Sequence, residues 1–583
     1  PKPKPEQVWQ QPPPSRPLWA TTPRFEGVNV PDIGEVRLTR RQEDIPRSIL
    51  EHREARKKFV LPEGFKLNLF AAEDRFSVAN PMAIKFDARG RLWVANTPTW
   101  PHPLPGKQPG DSIVILEDTD KDGVADKETV FMDKLNMIHG FAFGDGGVYI
   151  AQTPHLIHVK DTDGDDRADQ FRMLLHGFGG EDVEHSINNH SWGPDGSLYF
   201  MEGTFFHTQV ETPYGPERAL DGAVFRYNQR RQKFEVYISY GFANPWGQVW
   251  DRWGQPIILD ASGHNFYNMD LLAANFVYPA NRGGQRSFAV GQRSSGGGIN
   301  LIRTGHFPDE VQGRFLSSQV CGTFRGLVWW GIAEEGTTYK VDRVIPELLV
   351  SQDPHMGPLG TAVGADGALY VIDFHTPLAE NTSQPKRYKG RDHMHGRIWR
   401  ITCPDRALLK PPKIAGQPVA KLLDLLKSFE NRTRYLARRD LQERDPDQVL
   451  PHLKKWIAKL DRTDANHDLH LLEALWIFQG LETVEPELLA RLLKVEDYRI
   501  RASATRVLRF WQDDIDGSLA LLGKLIEDPH IRVRLQALLA LGFSKSKEAR
   551  NIALLVTKHP MDHGLQMVLD NSLDYWKRGA ANN

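Results

Sequence analysis

The sequence predicts a six-bladed β-propeller followed by an α-helical solenoid of the HEAT type. Three observations predict it. A strand–turn–strand phrase recurs with its turn glycine at Gly90, Gly146, Gly196, Gly254, Gly313 and Gly367. An aspartate-rich loop follows an apolar strand twice, at Asp118 and again at Asp161. Beyond the last strand phrase, a capping Asp or Asn, an arginine and an Ala/Leu run recur at helical spacing.

Residues 1–60 read as a proline-rich extended arm (Pro1-Lys-Pro-Lys-Pro, Pro12-Pro-Pro) with a short charged helix in 45–58. Residues 61–403 carry the strand phrase. It is clearest in Ile84-Lys-Phe-Asp-Ala-Arg-Gly90, Ser191-Trp-Gly-Pro-Asp-Gly196-Ser-Leu-Tyr and Thr361-Ala-Val-Gly-Ala-Asp-Gly367-Ala-Leu-Tyr. Asp-Gly turns between β-rich runs are hairpin signals. A period of about 50–60 residues leaves room for four strands per copy, which is a propeller blade. Residues 404–416 form a linker. Residues 417–583 hold the helical repeats Asn431-Arg-Thr-Arg434, Asp497-Tyr-Arg-Ile-Arg501 and Asp528-Pro-His-Ile-Arg-Val-Arg534, with weaker copies near Asn466 and Met561. Such arrays bind protein partners or brace neighbours.

Composition narrows the partners. Lys and Arg number 73 against 74 Asp and Glu, so no basic field would hold nucleic acid or an anionic membrane. Cys321 and Cys403 are the only cysteines, which excludes a disulfide framework and a Cys/His zinc module. No CxxCH motif is present, so this chain binds no c-type haem. No apolar run reaches the roughly 18 residues of a membrane span.

Each aspartate loop places carboxylates at relative positions 1, 3, 5 and 9: Asp118, Asp120, Asp122 and Asp126, then Asp161, Asp163, Asp165 and Asp169. That spacing wraps a hard cation in oxygen, and two Ca²⁺ sites are expected. Neither loop has Glu at position 12, so neither is a complete EF-hand. Loops of this kind need calcium near the extracellular level, and the chain starts at Pro1; the expectation is an exported protein, periplasmic or secreted.

Aligning the turn glycines brings the starts of the innermost strands to one channel mouth: Asn80-Pro81, His139-Gly140, Asn188-Asn189-His190, Asn244-Pro245-Trp246 and Gly357-Pro358. Glu181, Asp182, His185, Glu202, Arg325, Asp373, His375, Arg391, His395 and Arg397 lie near them in sequence. This set is polar and His-rich where a packed core would want Val or Ile.

The phrase His185-Ser-Ile-Asn-Asn-His-Ser-Trp-Gly193-Pro-Asp-Gly196 resembles the His-x7-Gly-Pro-Asp-Gly strand of the soluble quinoprotein glucose/sorbosone dehydrogenases. The resemblance implies that His185 is the general base, while hydride passes to pyrroloquinoline quinone. It makes His139, Asn188, His190, Asn244, Trp246, Arg325, Asp373, His375 and Arg397 the candidate cofactor contacts. Gly241-Phe-Ala-Asn244-Pro245 resembles the family's Arg-Asn-Pro segment, with Ala243 where the quinone-contacting Arg falls. The family's acidic partner of the His has no clean match; Glu202 is nearest, and Thr204 stands at the aligned spacing. Phrases across residues 60–576, among them Tyr240-Gly-Phe-Ala-Asn-Pro245, Asp373-Phe-His-Thr-Pro377 and Pro560-Met-Asp-His563, are similar to large planctomycete and verrucomicrobial proteins labelled membrane-bound dehydrogenase-like. Those join this propeller to HEAT repeats and a CxxCH cytochrome c domain. The resemblance implies an exported oxidoreductase that oxidises an alcohol or sugar and passes electrons to a cytochrome c, either a further domain of a longer protein or a separate partner. The alternative is a non-catalytic, calcium-stabilised propeller that binds glycan or protein, with the HEAT array as scaffold.

Overall fold

A computed structural model describes residues 51–103, 106–279, 285–289, 296–320, 324–342, 347–375, 392–544 and 546–581. Most of the proline-rich arm, Cys321, Arg391 and Pro377 lie outside the described residues. The short helix expected in 45–58 is seen as His52–Arg56.

Six innermost strands run side by side: Pro81–Phe86, Ile138–Gly144, Asn188–Trp192, Pro245–Trp250, Gly296–Leu301 and Thr361–Val363. Each packs beside the next, and the last beside the first, so the ring closes. Each opens an antiparallel sheet, and these sheets are blades I to VI. The six turn glycines all take φ between 67° and 89°. That left-handed conformation is open to glycine without the Cβ clash other residues meet.

Blade VI shows how the ring is fastened. Its inner three strands, Thr361–Val363, Leu369–Asp373 and Arg397–Thr402, come late in the chain, and its outer strand, Lys66–Ala72, comes early. Blade III carries an extra hairpin, His207–Thr212 with Gly215–Leu220, on its mouth side. In blade V the strand Arg325–Glu335 extends past its sheet to pair with Thr338–Asp342.

The recurring Asp-Gly-x-Leu-Tyr phrase has a physical reason beyond the turn. Asp195 accepts from the backbone N–H of Ser197, from Tyr199 Oη at 3.1 Å and from Arg226 Nε at 2.9 Å. In blade VI Asp366 repeats this with Ala368 N–H, Tyr370 Oη at 3.3 Å and Arg400 Nη2 at 2.6 Å. One carboxylate thus caps the turn and anchors the arginine of the third strand.

The aspartate loops join strands three and four of blades I and II. Their backbones match: positions 4 and 6 have positive φ in both, with Lys121 (64°) and Gly123 (90°) in the first, Gly164 (85°) and Asp166 (64°) in the second. Glycine has changed places with a side chain, and Asp tolerates the left-handed region better than most residues. Asp166 is held there by Arg91 Nη1 at 2.7 Å. Each loop staples its blade to the preceding one. Ala125 N–H donates to Phe70 O at 2.8 Å, and Asn68 Nδ2 to Gly123 O at 2.7 Å. Ala168 N–H donates to Phe131 O at 2.9 Å. The first loop therefore spans the seam where blade VI meets blade I.

The helical repeats are regular at the atomic level. Arg434 Nη1 donates to Ser428 O and Phe429 O, Arg501 Nη1 to Val495 O and Glu496 O, and Arg534 Nη1 to Asp528 O and Pro529 O. Every repeat arginine thus reaches back to the carbonyls of the preceding turn, groups that otherwise lack partners. In the weaker copy, His470 stands in this place and meets Asp464 at 3.2 Å.

The solenoid lies against the turn face of the propeller. Arg432 Nη2 donates to Asp87 O at 2.7 Å, and Gln442 Nε2 to Pro194 O at 2.9 Å. Ser503 Oγ donates to Trp253 O, and Arg506 Nη2 bonds Asp270 at 2.5 Å. Arg532 donates to Gly336 O at 3.0 Å and Tyr339 Oη at 2.9 Å; Asp562 accepts from Thr337 N–H at 2.7 Å. Helix His467–Gly480 is buried at every position but Asp468 because it is sandwiched between the propeller and the outer helices. Gly196 permits its approach, since a Cβ there would lie 2.8 Å from Gly480 Cα.

Candidate functional site

The channel has two ends of different character. Helix Asn431–Glu443 lies across the turn end. The mouth, where the innermost strands begin, gathers the polar set. His139, Asn188, Asp373, His375, Arg397, Trp246 and Arg325 are all buried there, and His190, two residues along its strand from Asn188, is buried further in.

His185 ends a single 3-10 turn, Val183–His185, whose cap is Asp182. Its Nδ1 lies 3.7 Å from Asp182 Oδ2. Asp182 is therefore the carboxylate beside this imidazole. Glu202 is fully buried and donor-bonded by Thr208 Oγ1 at 2.6 Å, and burial pushes its pKa up to about 8. Beside His185, at 5.8 Å between ring centroids, is Phe205, exposed and with φ of 75°.

His139 reveals its tautomer. Ser186 Oγ donates to Val183 O, and Met137 O can only accept, so His139 Nδ1 carries the hydrogen toward both. Burial lowers its pKa to about 4, so Nε2 holds a bare lone pair with no partner. Asn188 Oδ1 and Asn244 Oδ1 are likewise buried acceptors without partners. Asp260 fixes the Ala243–Asn244 segment by accepting both backbone N–H groups at 2.9 Å.

The opposite rim is built from repeated Asp–His pairs. Asp373 accepts from Gly357 N–H, His375 N–H, His375 Nδ1 at 3.2 Å and Trp399 Nε1. Burial would raise its pKa, but the charge and hydrogen bond of His375 and the charge of Arg397 outweigh burial and hold it near 2. His355 pairs with Asp353 at 3.5 Å and His395 with Asp392 at 2.6 Å; the three imidazoles stand in a row 5.8 and 6.1 Å apart.

A quinone bearing carboxylates needs cations, and these residues do not fit it. Ala243 offers none. Arg325 Nη1 is spent on Val320 O and Met356 O, the latter at 3.0 Å. Arg397 Nη2 pairs with Glu73 at 3.2 Å. The unpartnered atoms of His139, Asn188 and Asn244 are lone pairs, which would repel a carboxylate and attract a hydroxyl.

At each aspartate loop, three carboxylates bring ligand atoms within 4.8 Å of one another: Asp118, Asp120 and Asp126, then Asp161, Asp163 and Asp169. Asp122 and Asp165 turn instead to cap the backbone N–H groups of Val124 and Arg167 at 2.8 Å.

Between mouth and solenoid lies a cavity of about 700 Å³. Of the expected site residues, His139, His190, Trp246 and, from the second aspartate loop, Asp161 line it; His185, Asn188, Asn244, Arg325, Asp373, His375 and Arg397 do not. His139 and Trp246 meet edge to face at 6.1 Å at its upper end. Sequence reasoning missed Lys85 in this cavity and Phe205 at the mouth. The signal for Lys85 was available: it is the only Lys, Arg, Asp or Glu in the six innermost strands. Phe205 gave none, because its exposure depends on the inserted hairpin.

The fold and site together define a six-bladed propeller with a polar channel, braced by a HEAT-type solenoid. A family model described as a domain of unknown function (DUF7133) matches residues 51–405, and the chain belongs to that family. A HEAT-repeat model matches residues 485–560. No curated protein matches. Among solved structures, a glucose dehydrogenase is similar at TM-score 0.36 and 14% identity, covering 57% of this chain and 99% of its own. YCF48 bound to D1 peptide is similar at 0.28 and 10%, covering 58% and 96%. A gluconolactonase from Xanthomonas campestris is similar at 0.27 and 12%, covering 58% and 98%. No helix among the described residues is long and apolar enough to cross a membrane.

Proposed function

We propose that the channel mouth binds a sugar or other polyol and that His185, set beside Asp182, accepts a proton from one of its hydroxyls. The buried, unpartnered acceptors His139 Nε2, Asn188 Oδ1 and Asn244 Oδ1 carry this reading. Buried acceptors left unpaired cost about 1–3 kcal/mol each, and a hydroxyl-rich ligand relieves that cost. Phe205 supplies an exposed aromatic face for the apolar side of a sugar ring. The oxidoreductase form, in which an exported enzyme hands electrons from an alcohol or sugar to a cytochrome c, rests on the resemblance of the His185 phrase. Ca²⁺ in the two aspartate trios is part of the proposal.

The test is a thermal-shift and calorimetric screen of sugars and polyols, followed by dye-reduction assays with calcium, with and without pyrroloquinoline quinone. Binding that survives His185→Ala while turnover disappears is the expected pattern. No stabilisation by any sugar or polyol would remove the proposal. Binding without turnover in the wild type would favour the non-catalytic module, the reading that Ala243 and the engaged arginines support.

A further inference from the structure

We propose that the channel cavity below the mouth is a second, separate site that takes a small hydroxycarboxylate, with Lys85 as the anion-binding group. Lys85 projects from the innermost strand of blade I into the cavity that helix Asn431–Glu443 helps to line. Its side chain is half-buried and lines the cavity. No carboxylate pairs with it among the described residues. Protein surrounds the ammonium, and burial lowers its pKa to about 8, leaving it charged at neutral pH.

Two further groups make this a built site. His190, on the innermost strand of blade III, is 1% exposed, and neither ring nitrogen has a partner. Burial first, and then the charge of Lys85, lower its pKa to about 3, so it stays neutral and offers one donor and one acceptor. Its ring stacks on Phe200 at 4.8 Å, and Gly140 leaves room for it, since a Cβ there would lie 3.0 Å from Nδ1. Gln248, from blade IV, gives both hydrogens of its Nε2 to Asn189 O and Tyr199 O, so its buried Oε1 is a fixed acceptor without a partner. A cation, a neutral imidazole and a bare amide oxygen face one space. A carboxylate suits Lys85 and the imidazole N–H, and a hydroxyl suits Gln248 Oε1 and the imidazole lone pair. Neither a plain polyol nor a plain anion satisfies all three.

The test is calorimetric titration of the full chain with D-gluconate, inorganic phosphate and sorbitol. Gluconate should bind, with affinity at least about tenfold weaker in Lys85→Met and in Gln248→Leu. Phosphate or sorbitol bound as tightly as gluconate and weakened as much by Lys85→Met would overturn the ligand class, whereas polyol binding that Lys85→Met leaves unchanged belongs to the mouth. Absence of gluconate binding, or equal binding by Lys85→Met, would overturn the site. Should Lys85→Met fail to fold, labelling of Lys85 in the wild type with an amine reagent decides the matter. Protection by gluconate supports the site and unchanged labelling refutes it. None of these readouts involves turnover or His185, so failure here is separable from failure at the mouth.

Discussion

Arg226→Met tests the repeated turn-and-anchor device of the blades. The Arg226 side chain is 9% exposed and pairs with Asp195 at 2.9 Å and Glu235 at 2.8 Å. Its guanidinium also covers the ring of Phe510, on solenoid helix Tyr498–Trp511, at 4.5 Å. Methionine keeps the stem and a contact with the ring, but leaves two carboxylates without their cation. Breaking a buried pair from one side costs about 3–5 kcal/mol. Glu235 is 23% exposed and also meets Lys233 at 3.2 Å, so the lower figure applies. At about 2 °C per kcal/mol for a large domain, the melting temperature should fall by roughly 6 °C. The pH dependence has a definite sign. Burial would raise the Glu235 pKa, but Arg226 and then Lys233 hold it below the ordinary 4.5. A depressed acid contributes stability above its unfolded pKa, and that stability is lost as pH falls through the folded value. The gap between wild type and variant should therefore be widest near neutrality and narrow below about pH 4.5. Melting followed by near-UV circular dichroism between pH 4 and 8 checks this. A gap under about 1 °C at neutral pH, or one that stays constant down to pH 4, would refute the reasoning.

Three further outcomes are expected. Chelation by EGTA should lower the melting temperature, since calcium at a hundredfold excess over Kd contributes about 2.7 kcal/mol; in hydrogen exchange the first region to loosen should be the seam around Phe70 and Ala125, and a chelator-indifferent melt speaks against the metal. Asp126→Asn should reproduce much of the chelator effect and leave little for EGTA to add, whereas additive losses would separate the aspartate from the ion. Arg532→Ala should loosen the loop at Gly336–Thr338 toward protease and cost about 1.5–3 kcal/mol, because the part-buried carbonyls of Gly336 and Thr338 lose a charged donor; an unchanged digestion pattern counts against the docking role.

The parts of the fold that were legible in the sequence are those written in local chemistry. A positive φ favours glycine, so six turns announced six blades. The repeat arginines Arg434, Arg501 and Arg534 were visible because each answers a local need of its own preceding turn. Asp166 stands where the first loop has Gly123, yet the backbone is the same, because Gly164 and Arg91 absorb the change. What sequence did not show depends on elements meeting across the ring. The identity of the carboxylate beside His185 turned on a 3-10 turn that brings Asp182 round, not on strand register. The engagement of Arg325 with carbonyls and of Arg397 with Glu73 is set by tertiary packing, as is the closure of the channel's far end by the solenoid. Lys85 lines the channel cavity because its strand is the innermost of a closed ring, a placement that its own strand does not encode.

The strand Lys66–Ala72 is made early but pairs with Arg397–Thr402, made late. During synthesis it has no partner until almost the whole propeller has left the ribosome. An unpaired apolar edge held open that long is an aggregation hazard, so the cell must shelter this segment, and damage to the sixth blade should show first as poor recovery of folded chain.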